Sequence, residues 1–270
     1  MDEPTGRPWH VFATYLAAIA GIVATTGVAI GVLRAMYPDV PETTVVGTLP
    51  GLLAGSLAAS TGLLFTILLF VRPLDAARFR LLPGWETGPT LAVMTLGLLG
   101  LGQALESLTT IAGLADRGSL VLIRRVLQGT GGPDLFGAVL VLGVVAGAAE
   151  EIFFRGFMQS RLREHWSPAA AVAATSAAFA ALHLDVFAVH TLLAFALGLY
   201  LGFVAEISGS TLPAIVCHVL NNIVYTLQTA LGVTVVGREA NLVAGAVGAT
   251  LFLACVWWIR RVSPGPAPVS

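Results

Sequence analysis

The amino-acid sequence predicts an all-α fold, a polytopic membrane bundle of about eight transmembrane helices. Three observations carry this. Of 270 residues, 56% are hydrophobic and only 11% charged, against roughly 25% charged in ordinary soluble domains. Mean hydropathy is +0.87, which no water-soluble domain tolerates. The apolar residues fall in runs of the roughly 20 that a helix needs to cross about 30 Å of hydrocarbon. None alternates as barrel strands would, so helices are left to satisfy the backbone in lipid.

The first run, 11–33, lacks a small-residue cleavage site and exceeds a signal-peptide core, so it is expected to be a retained helix. Runs 45–71 and 89–115 follow, and the fourth, 135–158, carries charge in its inner half. The fifth, 169–184, is preceded by Ser167 and Pro168, a capping residue and a first-turn proline. Runs 186–205 and 212–236 are separated by a Gly209-Ser210 turn, and 242–259 is the last. The Pro-rich stretch 263–270 is expected to be disordered. Three units result: N-terminal helices over 1–134, a core over 135–231, and a last helix with its tail over 232–270. All five tryptophans, at 9, 85, 166, 257 and 258, fall at span ends, where amphipathic rings meet headgroups.

A net charge of -1 with no basic run beyond Arg124-Arg125 leaves no footprint for a polyanion, so nucleic-acid binding is excluded. Cys217 and Cys255 lie in apolar stretches and behave as small hydrophobes, which excludes a disulfide framework and a four-cysteine metal site. Arginine placement favours both termini inside: eight (Arg7, Arg72, Arg78, Arg80, Arg161, Arg163, Arg260 and Arg261) against five outside (Arg34, Arg117, Arg124, Arg125 and Arg238). The pairs Gly27 with Gly31, Gly51 with Gly55, Gly143 with Gly147 and Gly198 with Gly202 are expected to let helices of this chain approach closely.

A charge at a helix centre costs at least about 2.5 to 3.5 kcal/mol, so ionisable groups in the spans mark function. They cluster here. The fourth span holds Glu150, Glu151 and Arg155, the fifth ends in Phe179-Ala-Ala-Leu-His183, and the seventh holds His218, Asn221 and Asn222. Four-residue steps put Glu151 beside Arg155, Phe179 beside His183 and His218 beside Asn222. Glu151 and Arg155 read as an intrahelical pair that neutralises itself. Glu150, about 100° around the helix, has no cation of its own there and must find a partner on another helix or act as a general base or acid. Depth poses one difficulty. Glu150 and His218 lie roughly 10 Å from the inner ends of their spans and His183 nearer 22 Å, unless the fifth helix begins, at Ser167 and Pro168, above the membrane. Gln103, Glu106 and Glu206 are expected to reach water by snorkelling. Asp185 and His190 read as interfacial, and Asn221 as a helix-packing hydrogen bond.

The string Glu150-Glu151-x-x-x-Arg155, then Phe179-x-x-x-His183, then His218-x-x-x-Asn222 resembles the three motifs of the CPBP family, the CAAX-protease and bacteriocin-processing (Abi) intramembrane endopeptidases. The resemblance covers 135–231, and the Gly-rich run from Leu197 to Asn222 is similar too. It implies that Glu150 and His183 activate a water, that His218 and Asn222 stabilise the oxyanion, and that Glu151 and Arg155 are a supporting pair. It also implies no metal and no other cofactor, a protein or peptide substrate in or at the membrane, prenylated in the family's best-known case, and a lipid bilayer around the chain. With the all-arginine basic set it points to a bacterial plasma membrane.

Two alternatives stand beside it. Glu150, His183 and His218 could ligate a catalytic zinc, since two histidines and a carboxylate form an open zinc set, although no His-Glu-x-x-His motif is present. Or the polar cluster could hold together a non-proteolytic immunity or adaptor protein. A transporter fits least, for want of paired, interrupted spans in two halves.

Overall fold

In a computed structural model the described residues, 8–264, are all-helical, without strands. The helices are α1 (Pro8–Met36), α2 (Glu42–Val46), α3 (Leu49–Phe70), α4 (Gly88–Ile111), α5 (Leu120–Leu127), α6 (Gly132–Arg163), α7 (Pro168–Ala181), α8 (Val189–Ser208), α9 (Leu212–Ala230) and α10 (Arg238–Val262). Arg7 and nearly all of the Pro-rich tail lie outside the described residues.

All eight expected spans are helices, but six are long and apolar enough to cross a membrane: α1, α3, α4, α6, α8 and α10. At 14 residues α7 is too short. In α9 the polar His218, Asn221, Asn222 and Gln228 dilute 19 otherwise apolar residues. The expected span 45–71 is broken at Gly47-Thr48, where Thr48 Oγ1 accepts from Gly51 N and Pro50 sits in the first turn of α3. Three spans, those expected to run to 115, 184 and 236, end earlier than expected. Gly113 and Gly232 adopt left-handed φ of 69° and 66° just past α4 and α9, a conformation glycine takes without a Cβ clash. The loop expected over 116–134 contains α5, whose buried Leu127 faces the bundle while Arg124 and Arg125 occupy its last turn.

Packing places α8 at the centre: 56% of its apolar window is buried, against 11% for α1 and 17% for α10. One core cluster joins α1, α3, α6 and α7 to the first half of α8 through Ala194. A second joins α4, α9 and α10 to its other half through Tyr200, Leu201 and Val204. Two of the four small-residue pairs make the contacts expected of them. Cβ atoms on Gly143 and Gly147 would meet Ile223 and Val219, and on Gly198 and Gly202 would meet Ser176 and Val172. These pairs seat α9 against α6, and α8 against α7. Gly27, Gly31 and Gly55 face open space instead, and Gly51 abuts Val45 and Val46 at its own turn.

Candidate active site

Helix α6 departs from α-geometry twice, over Val139–Val145 and Ile152–Gln159, leaving one regular stretch, Ala146–Glu151, between the two π-helical runs. Glu150 and Glu151 close that stretch. Such π-turns shift register and release carbonyls from the ladder, and they recur at functional sites. Here both runs have partners from side chains: Asn222 Nδ2 donates to Leu142 O at 3.2 Å, and Ser160 Oγ donates to Arg155 O at 2.9 Å.

The Glu151–Arg155 pair forms as expected, 2.8 Å apart, and both side chains are fully buried. It is more than an isolated pair. Arg155 also donates to Gly198 O on α8 at 2.8 Å, and its guanidinium lies 5.1 Å over the ring of Phe179. The same Glu151 oxygen that receives Arg155 receives His218 Nδ1 at 2.7 Å. A carboxylate can only accept, so Nδ1 carries the proton and the other nitrogen, Nε2, is turned toward Glu150 Oε2 at 3.7 Å. Glu150 thus finds its partner on α9, as its lack of one on α6 required.

His183 lies two residues beyond the end of α7. Its Nδ1 donates to Phe179 O at 2.9 Å, which leaves Nε2 as the basic nitrogen. The Phe179 ring stands between the two histidines, 4.7 Å from His183 and 5.9 Å from His218. At the other end of α7, Ser167 Oγ accepts from Ala170 N at 3.3 Å and Pro168 opens the helix, the start that the sequence leads one to expect. Glu150 contacts His218 rather than His183. Among the described residues, no three His, Cys, Asp or Glu side chains are grouped so as to hold a metal ion. Glu150, His183 and His218 are therefore not assembled as a zinc set.

Asn222 shares the His218 face of α9, with one amide proton committed to Leu142 O. Asn221 is not independent of it, since its Nδ2 donates to Asn222 Oδ1 at 3.4 Å.

Glu206 corrects the expectation that it snorkels to water. It is 8% exposed and receives Arg163 Nε at 2.8 Å, Arg80 Nη1 at 3.4 Å and Gln159 Nε2 at 3.5 Å. Its partners come from α6 and from the α3–α4 connection, 43 and 126 positions away, which no local pattern announces. Arg80 itself sits at φ 52°, with Nη2 donating to Ala205 O. Trp85 Nε1 donates to Ile207 O at 2.7 Å and pins the same connection to the end of α8. Glu106 is half-exposed and paired with Arg124, and Gln103 donates to Ser107 Oγ.

Residues 132–224 match the family model of Rce1-like proteins, the type II CAAX prenyl endopeptidases. No curated protein and no solved structure matches the chain. The matched segment contains α6, α7, α8 and the part of α9 that bears His218 and Asn222, so every group described around Glu150 and Glu151 lies inside it. Through this segment, about a third of the chain, the protein is similar to the CAAX prenyl endopeptidase (CPBP) family.

Proposed function

We propose that the chain is a glutamate-dependent intramembrane endopeptidase that cuts a membrane-associated or lipidated protein or leader peptide by a directly activated water. The observation that carries the reading is His218 held between two glutamates, one buried against Arg155 and the other, Glu150, one-fifth exposed. The buried carboxylate has its charge answered and orients the ring. The more exposed one is free to take a proton.

In this reaction Glu150 removes a proton from water, and the free Nε2 of His183 accepts a hydrogen bond from the water's other proton. The hydroxide adds to the scissile carbonyl carbon, and the carbonyl electrons move onto oxygen. Glu150 then passes its proton to the departing amine nitrogen as the C–N bond breaks. His218 and the second amide proton of Asn222 donate to the oxyanion. With Nδ1–H committed to Glu151, an Nε2–H aimed at that oxygen requires the doubly protonated ring. Its charge balances the one by which Glu150 and Glu151 together exceed Arg155. A site within the bundle rations bulk water, which strengthens each of these contacts.

The test is reconstitution in nanodiscs with a panel of peptides: a farnesylated CAAX-type peptide, its unprenylated counterpart, and leader peptides with small-residue junctions. Cleavage that depends on Glu150 and survives exhaustive chelation supports the reading. Loss on chelation with recovery on added zinc would assign the residues to a zinc peptidase. Absence of any cut would favour the immunity or adaptor alternative.

A further inference from the structure

We propose that His190 and Ser119 are positioning residues that hold the ring of His183, and that the α4–α5 connection reaches the active site through them. The proposal rests on His183 serving the reaction as above.

His183 needs such support because it lies past the last residue of α7, where the helix no longer fixes its backbone. Its ring has one hydrogen bond, to Phe179 O, and two ring neighbours. Phe179 is at 4.7 Å, and His190, edge-on at an interplanar angle of 70°, is also at 4.7 Å. His190 is in turn fixed through Nδ1, 2.9 Å from Ser119 Oγ. The α7–α8 turn that spaces the two histidines is tied by Asp185, which accepts from Phe187 N at 2.8 Å and His190 N at 2.9 Å. Thr191 Oγ1 closes it by donating to His183 O at 2.9 Å.

The α4–α5 connection docks on this turn by more than one bond. Gly118 adopts φ 82°, and a Cβ there would stand 2.7 Å from Asp185 Oδ2, so a side chain would be strained and would push on the Asp185 carboxylate. Arg117 lies 5.4 Å over the ring of Phe187. Burial is the largest single influence on the Asp185 carboxyl and raises it, but the N–H groups of His190, Phe187, Val189 and Ser119 together hold it below the ordinary carboxylate range. Three residues of one connection, Arg117, Gly118 and Ser119, thus brace the turn that carries two adjoining imidazoles. A catalytic group must be kept within about 0.5 Å and 10–20° of its productive geometry, and a ring at a helix end without flanking rings is free to rotate out of it.

The experiment uses the full chain in nanodiscs with Ser119→Ala, His190→Ala, His190→Phe and the double variant Ser119→Ala/His190→Ala. Two readouts are taken: steady-state cleavage of the farnesylated CAAX-type peptide, and deuterium exchange at the imidazole Cε1–H of His183. For His190→Ala, kcat is expected to fall on the order of 10- to 100-fold with KM within about twofold, since misplacement of about 1 Å costs up to about 100-fold. His183 exchange should speed up. His190→Phe keeps an aromatic edge against His183 and should recover most of the loss. Ser119→Ala should lower kcat several-fold alone and add nothing in the His190→Ala background. Parental kcat and parental His183 exchange in both single variants would overturn the proposal, as would a change confined to KM. If His183→Ala itself cleaves at the parental rate, the proposed role of His183 fails, while the exchange measurement still decides whether His190 and Ser119 hold the ring.

Discussion

His218 Nδ1 stands 2.7 Å from Glu151 Oε1, so the second glutamate of the pair, not the first, sets the orientation of the imidazole on α9. One carboxylate oxygen receives both His218 and Arg155, and the three groups lock α6 to α9 in the interior. Glu151→Ala removes the shared acceptor of both at once. It strands Arg155 in a fully buried position, for which breaking a buried pair costs about 3–5 kcal/mol. Low yield and a clearly lowered melting temperature in detergent are expected. Glu151→Gln keeps the volume and an acceptor oxygen and should fold better while losing most cleavage, because it no longer fixes the ring of His218. A Glu151→Ala protein with parental melting temperature would contradict this.

Asn222 is expected to act in the transition state. Asn222→Ala should lower kcat by about 100- to 1000-fold with KM nearly unchanged, the size seen when an oxyanion donor is removed. Asn222→Asp should be worse, since a carboxylate repels the developing charge. The Asn221–Asn222 bond is long, at 3.4 Å, so Asn221→Ala should cost less than about threefold in rate. Kinetics on the three variants decide it, and a rise in KM alone for Asn222→Ala would give that residue a binding or packing role.

The helix order, the Ser167 start of α7 and the pairing of Glu151 with Arg155 were legible in the sequence. Apolar runs, a cap followed by proline, and a four-residue step are local signals. The bridge from His218 to Glu151 and the burial of Glu206 were not, because both depend on partners brought from other helices or loops. The π-helical runs of α6 left no mark either, since Val139–Val145 reads as an ordinary apolar stretch. Some signal for Glu206 existed. It follows the glycine-spaced face Gly198, Gly202, which faces Arg155 and Gln159 in the fold, and Glu206 continues that four-residue step.

Glu206→Ala should destabilise without touching the chemistry. It leaves Arg163 and Arg80, both mostly buried, without their shared carboxylate. The loss is expected at about 1–3 kcal/mol, the lower end for buried charges because both arginines keep some solvent. Thermal unfolding should show a lower midpoint while the KM of the surviving protein stays parental. An unchanged midpoint would mean that water already satisfies these arginines.

Both termini are expected in the cytoplasm, from the arginine bias in the short loops. Cysteines placed at Gly6 and Pro266, outside the described residues, should resist an impermeant reagent in intact cells and react after permeabilisation. Labelling in intact cells would reverse the orientation and turn the inner end of α6 outward.

The most direct measurement is turnover of the Glu150→Gln protein, reconstituted beside the parent on whichever panel peptide the parent cuts. Glutamine keeps the shape and a polar group facing His218 but cannot accept the water's proton. The predicted result is a parental melting temperature with cleavage reduced to the background of peptide alone. Full turnover by a folded Glu150→Gln protein would contradict the assignment of Glu150 as the base and, with it, the account of the site.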